Sequence, residues 1–302
     1  MRKTFSNTIE ELATSDESIL FLTGDLGYNA FEGLQEKLGD RFINMGVAEQ
    51  NMVSAAAGMA YKGYKVFCYS IAPFIVYRCL EQFRNDVCFH ALPVFLIGNG
   101  GGYGYGIMGS SHHALEDIAC LSGMQNNGTW VPAFNDDIKP LLTEIVAQSK
   151  PAYIRLGLGK PSPVKPTRHG SFNCIFENNN AKGIIITLGP IANNVLDALS
   201  TSGLKDKFNL FSLVSLPLVV DDYMYKKMAE CENILVVEEH ISLGGIGQQI
   251  GSFLLEKQIN PKRFISLFAK GYPGKLYGDQ AFHQKLSGLD AENIARILKE
   301  FI

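Results

Sequence analysis

The chain has 302 residues, 46% of them hydrophobic and 19% charged, with a formal net charge of −3. This is enough apolar material for real cores, and the length favours two domains over one. Both signs of charge are mixed along the chain without a basic patch or tail, which argues against a nucleic-acid partner, and no apolar run reaches the length of a membrane span.

The opening Met1-Arg2-Lys3-Thr4-Phe5 leads into an amphipathic helix (Phe5, Ile9, Leu12) rather than an apolar signal segment. Ser18-Ile19-Leu20-Phe21-Leu22 then reads as a strand that stops at Thr23-Gly24-Asp25, and Phe42-Ile43-Asn44 as a short one. Residues 49–62 read as a helix ending at Gly63, and residues 65–69 as a strand. Pro73 opens the next helix in its first turn, where a missing N–H costs nothing. Residues 93–97 form a strand that falls into the glycine-rich run 98–106. Strands separated by helices of this length predict parallel βαβ units and a doubly wound sheet.

Three prolines (Pro161, Pro163, Pro166) and a loss of periodicity mark a break. The expected division is a first domain at 1–160, a linker at 161–180 and a second domain at 181–302. There the alternation resumes: a strand at 183–187, a helix from about Ala192, a strand at 208–214, a helix from Asp221, a strand at 233–237, and a helix after Leu243-Gly244-Gly245-Ile246-Gly247. A last helix from about Asp290 keeps Ile294, Ile297 and Leu298 on one side. The six cysteines (Cys68, Cys79, Cys88, Cys120, Cys174, Cys231) stand singly without CxxC spacing, so neither a zinc site nor a disulfide framework is expected. They read as buried thiols of a cytoplasmic protein.

Few residues stand out for chemistry. Glu49 sits just inside a helix start, where a carboxylate either complements the helix dipole or serves a site. Phe74, Tyr77, Arg78 and Glu81 fall at i, i+3, i+4 and i+7 on one stripe. Two aromatics with a guanidinium and a carboxylate suit an aromatic heterocycle that also needs hydrogen bonds; a half-buried helix with an internal Arg–Glu pair accounts for them equally. The glycine run follows a strand, as ligand loops of open α/β sheets do, and lacks the Gly-Lys-Ser/Thr that closes a P-loop. It leads to Ser110-Ser111-His112-His113, histidines that are either helix-entrance residues or functional ones.

Gly46-Val47-Ala48-Glu49-Gln50-Asn51, the segment from Arg78 to Val87, and Gly109-Ser110-Ser111-His112-His113-Ala114-Leu115-Glu116-Asp117 occur in that order. Val236-Val237-Glu238-Glu239-His240, Gly244-Gly245-Ile246-Gly247 and Gly288-Leu289-Asp290 follow. In order and spacing, over essentially the whole chain, these elements resemble the transketolase family. They match its Gly-x-x-Glu element, the helix beneath its cofactor pyrimidine, its Gly-x-Ser/Thr-His-Gln loop and its C-terminal domain. The resemblance implies an α/β protein of two doubly wound domains. The first is a thiamine-diphosphate pyrimidine-binding domain with a mainly parallel sheet, the second a smaller transketolase C-terminal-like α/β domain.

By the same resemblance Glu49 is the acid/base residue that hydrogen-bonds the pyrimidine ring nitrogen. Phe74 or Tyr77 packs on the pyrimidine, and Arg78 and Asp25 join the cofactor-binding residues. His112, also catalytic, and His113 meet substrate oxygens, and Arg155 binds the sugar phosphate unless it is a strand-end surface arginine. The implied reaction is transfer of a two-carbon ketol unit from a ketose phosphate to an aldehyde. Met108 and Gly100 stand where the family usually has Asp and His, and His113 where it has Gln, which implies altered sugar specificity.

Enzymes of this kind hold the cofactor diphosphate through a metal site marked by Gly-Asp-Gly. Here Gly24-Asp25-Leu26, Gly39-Asp40-Arg41 and Gly278-Asp279-Gln280 each have a different third residue. A partner, the diphosphate-binding N-terminal subunit with Mg2+ or Ca2+, is therefore expected, in a dimer or heterotetramer. The rival readings are the beta subunit of a 2-oxoacid dehydrogenase component, a synthase condensing pyruvate with an aldehyde phosphate, and a non-catalytic binding subunit that kept the fold.

Overall fold

The alternating strands and helices assemble into two sheets in the computed structural model, which describes residues 1–27, 30–272 and 276–301. The strands are β1 (Ile19–Thr23), β2 (Phe42–Asn44), β3 (Lys65–Ile71), β4 (Val94–Asn99), β5 (Gly128–Trp130) and β6 (Ala152–Leu156). They continue as β7 (Thr167–His169), β8 (Phe172–Phe176), β9 (Gly183–Leu188), β10 (Phe208–Leu213), β11 (Ser215–Leu216), β12 (Asn233–Glu238) and β13 (Arg263–Leu267). The first sheet has the order β11-β5-β6-β4-β3-β1-β2, parallel except for β11. The second has the order β13-β12-β9-β10-β8-β7, with β8 and β7 antiparallel.

Both faces of the first sheet are covered, which is why its strands read as continuous apolar runs rather than alternating ones. Phe21, Phe67, Tyr69 and Phe95 face helix α1 (Arg2–Ser15) through Phe5, Ile9 and Ala13. Their sequence neighbours Leu20, Leu22, Val66, Cys68 and Leu96 face the opposite way. There they meet Met52, Val53, Ala56, Ala57 and Ala60 of helix α2 (Glu49–Tyr61) and Ile75 and Val76 of helix α3 (Ala72–Tyr77). Burying a large apolar side chain contributes about 1.5–3 kcal/mol, so this cover rather than helix propensity holds α2 in place.

Three expectations need correction. Residues 161–180 are not simply a linker, because β7 and β8 form a hairpin at the edge of the second sheet. The stripe from Phe74 to Glu81 is broken: α3 ends at Tyr77, Cys79 leaves helical geometry (φ −107, ψ 11), and a π-helical turn follows at Phe83–Cys88. Of the cysteines, Cys68, Cys79 and Cys88 are buried, whereas Cys120, Cys174 and Cys231 are half-buried; all are free thiols.

Candidate active site

The carboxyl ends of parallel strands are where open α/β sheets place their ligands, and the singled-out residues gather at those of β1, β3 and β4. Beyond β2, Gly46 takes φ +70, a conformation that disfavours other residues, and turns the chain so that Glu49 becomes the first residue of α2. Glu49 is only 1% exposed. Ser70 Oγ on β3 donates to its Oε1 at 2.9 Å, and Arg78 Nη1 donates to its Oε2 at 2.7 Å. A glutamate serving only the helix dipole would face water, and this one does not. Its burial costs several kcal/mol unless compensated; the two donors and the α2 N-terminus offset that cost. Each oxygen keeps a second lone pair for a ligand.

Arg78 therefore pairs with Glu49 and not, as the stripe suggested, with Glu81. Its guanidinium lies 4.4 Å from the Phe74 ring centroid, and the Phe74 ring meets the His112 ring at 5.0 Å and 65°. Glu49, Arg78, Phe74 and His112 thus form one row. His112 is further held by Ser111 Oγ, 3.0 Å from its Nδ1, and by the Tyr105 ring at 6.1 Å. Tyr77 stands apart, since its hydroxyl donates to Glu116 Oε2 at 3.0 Å and accepts the Glu116 N–H at 3.1 Å. Asp25, exposed at the β1 end with φ +59, exchanges hydrogen bonds with Asn44 at 2.9 and 3.1 Å.

Two expected substrate residues are placed elsewhere. His113 is 1% exposed, with Nε2 3.0 Å from the Gly106 carbonyl and its ring among Tyr103, Tyr272 and His283. Burial pushes its pKa down. Arg155 is 4% exposed, so it is neither a surface arginine nor an open phosphate ligand. Its Nη2 donates to the carbonyls of Ala114 (2.6 Å) and Glu239 (2.9 Å), and its Nε lies 3.0 Å from Asp117 Oδ2. Met108 is 54% exposed near the site, and Gly100 packs against the Tyr105 ring.

Sequence reasoning missed several residues that shape this region. Ser70 carries no local signal beyond its place near a strand end. Asp117, fully buried and accepting the Tyr153 hydroxyl at 2.6 Å, belongs to the motif of the His112 loop, where nothing local marks it for a role. Glu239 is in the same position within the Val236–His240 motif.

The geometry fits the pyrimidine half of thiamine diphosphate: a buried carboxylate with acceptor capacity stands one arginine away from an aromatic ring and a histidine. Residues 1–160 match the family described as transketolase, pyrimidine binding domain. The chain is 29% identical over 310 residues to one of the subunits of the apulose-4-phosphate transketolase of Phocaeicola vulgatus, covering 100% of this chain and 97% of that one. It is 26% identical over 309 residues to the 1-deoxy-D-xylulose-5-phosphate synthase of Clostridium perfringens, covering 99% of this chain and 49% of that enzyme. Among solved structures, one described as a split gene transketolase, inactive beta4 tetramer, superposes with a TM-score of 0.82 at 24% identity. That superposition covers 99% of this chain and 96% of the other, so both domains share its fold. The chain belongs to the transketolase family, represented here by the pyrimidine-binding domain, and has the make-up of the C-terminal subunit of a split transketolase-like enzyme.

Proposed function

We propose that this chain is the pyrimidine-binding subunit of a thiamine-diphosphate-dependent transferase that moves a two-carbon ketol unit from a ketose phosphate to an aldehyde. The observation that carries the reading is the Glu49 carboxylate, buried and held by two donors among the described residues, at the head of a row ending in His112. When bound, the cofactor supplies the nucleophilic carbon and the electron sink. Glu49 holds the proton at the pyrimidine ring nitrogen, and Arg78 keeps its carboxylate oriented. Phe74 forms the apolar wall, and His112 meets the oxygens of the donor. Asp25, at the end of β1, joins the cofactor-binding residues, and Tyr77 is tied to Glu116 in the segment that follows His112.

A partner chain holds the diphosphate with Mg2+ or Ca2+, and the two associate as a heterotetramer active only when assembled. The free cysteines suit a cytoplasmic enzyme of carbohydrate metabolism. Sugar specificity departs from the ordinary pentose phosphates: His113 is turned inward and Met108 presents an apolar side chain near the site. The relative named for apulose 4-phosphate makes that ketose the first donor to try.

The test combines this chain with a partner bearing Gly-Asp-Gly, adds cofactor and magnesium, and screens ketose phosphates, including apulose 4-phosphate and xylulose 5-phosphate, with aldehyde acceptors. Ketol transfer that needs both chains and prefers a donor other than xylulose 5-phosphate is expected. Decarboxylation of 2-oxoacids without ketol transfer would replace the reading with the dehydrogenase one.

A further inference from the structure

Outside the row from Glu49 to His112, a dense set of buried polar groups lies where the two domains meet, and it converges on the loop carrying His112. Glu239, just beyond β12, is 6% exposed. Its Oε1 accepts the Tyr103 N–H at 2.5 Å and Gln280 Nε2 at 3.0 Å, and its Oε2 accepts the Gln284 amide. Gly102 has φ +67, and a Cβ there would collide with Glu239 Oε1, so the glycine loop is shaped around this carboxylate. From β6, Arg155 binds the Ala114 and Glu239 carbonyls together. Gly102 and Ala114 exchange backbone bonds at 2.9 and 3.0 Å, Ile241 N donates to Leu115 O at 3.0 Å, and Ala119 N donates to His240 Nε2 at 3.3 Å. His112 therefore stands between two segments, one at 102–103 and one at 114–119, both fastened to residues 239–241.

We infer that Arg155 and Glu239 are positioning residues: they tie the His112 loop to the second domain, so that this domain sets where His112 stands over Phe74. The second domain supplies none of the four residues in the row, and this gives it a part in the reaction. The catalytic consequence rests on the ketol-transfer reading; the structural one does not.

A purely cohesive role would loosen the whole fold and would affect cofactor and donor alike. Positioning predicts a split. In Arg155→Lys a charge is kept, but its single nitrogen cannot both face Asp117, as Nε does, and hold the two carbonyls, as Nη2 does. Glu239→Gln keeps an acceptor for the Tyr103 N–H, and burial already pushes the Glu239 carboxyl up toward its neutral form.

The experiment uses the full chain assembled with its partner subunit. Hydrogen exchange in residues 100–116 should accelerate about tenfold or more in R155K, with residues 49–61 unchanged. Turnover should fall about 10–100-fold, the scale of a misplaced group, with thiamine diphosphate affinity kept within about twofold, and E239Q should stay close to the unaltered protein. If R155K does not yield soluble protein, Glu239→Ala releases the Tyr103 N–H together with the Gln280 and Gln284 amides, keeps the backbone carbonyl that Arg155 binds, and is read in the same way. Unchanged exchange in 100–116, equal acceleration in 49–61, or full turnover despite a loosened loop overturns the inference. If the unaltered assembly shows no ketol transfer while the exchange contrast persists, the functional reading fails and the clamp stands.

Discussion

At the scale of single residues, the contrast between Glu49 and its neighbours separates chemistry from packing. Glu49→Gln keeps an oxygen for Ser70 or Arg78 but cannot carry the charge that shares a proton with the pyrimidine. Removal of a general acid/base group costs about 10²–10⁴ in rate. Turnover of the assembled enzyme should fall within that range, while the melting temperature shifts little because Arg78 is partly solvated. Steady-state rates and a thermal melt of the same preparation check both halves; activity close to that of the unaltered enzyme would remove Glu49 from its role. Glu49 and His112 could be singled out because each lies in a short motif whose order along the chain is itself informative, and Phe74 because it shares a helical stripe with Arg78. Arg155 was not, because its carbonyl partner Glu239 lies 84 positions away in the sequence and local pattern cannot report burial by a distant segment. His112 and His113 looked alike as neighbours. Only the extended backbone at His113 (φ −87, ψ 137), which ends the turn at Ser110–His112, sends the two rings to different places.

At the scale of elements, the end of β12 combines two opposed titrations. Burial pushes the Glu238 carboxyl up from 4.5 to about 7, against the pull of the Ile246 and Gly247 N–H groups that it accepts at 2.8 and 2.9 Å. Burial pushes His240 down from 6.5 to about 4. The Glu238 contribution to stability is present below about pH 4.5 and lost as pH rises through 7; that of His240 is present above about 6.5 and lost as pH falls through 4. Between about pH 5 and 6.5 the folded chain holds the Glu238 proton and the unfolded chain holds the His240 proton, so the two slopes cancel. Glu238→Gln uncovers the His240 slope. Relative to the unaltered protein, the variant should gain about 2 kcal/mol between pH 5 and 6.5, at roughly 1.4 kcal/mol per pH unit. Urea titrations at the two pH values measure this, and parallel stability curves would show that the pair is not coupled to folding in this way. The break after α3 shows what periodicity misses at this scale: residues 73–81 carry a helical pattern, but the buried Cys79 takes a non-helical backbone. Arg78 is thereby paired with Glu49 rather than with the exposed Glu81.

At the scale of the whole molecule, the two sheets are not independent. β11, two residues from the second half of the chain, pairs antiparallel with β5 and completes the first sheet, matching Ser215 with Trp130 and Leu216 with Thr129. Val131 N donates to Val214 O at 3.0 Å, and Asn173 Nδ2 to Asp137 Oδ1 at 2.9 Å, extending the seam. The two-domain plan and most strands could be read from apolar runs and their spacing. A strand of two residues has no period to read, so this crossover could not. Its consequence is cooperative unfolding, since separating the domains would expose a sheet edge and strip the polar partners from residues 239–241. Trp130, the single tryptophan, lies in this seam, 5% exposed, with the Arg168 guanidinium 5.9 Å from its ring. Its fluorescence therefore reports the junction, while far-ultraviolet circular dichroism reports both sheets. In urea the two signals should trace one transition with a common midpoint, and the slope should match the surface exposed by the full chain. A tryptophan transition that comes at lower urea than the loss of helix would mean that the seam opens first. The second domain would then be a loosely docked module, too mobile to hold the His112 loop in place.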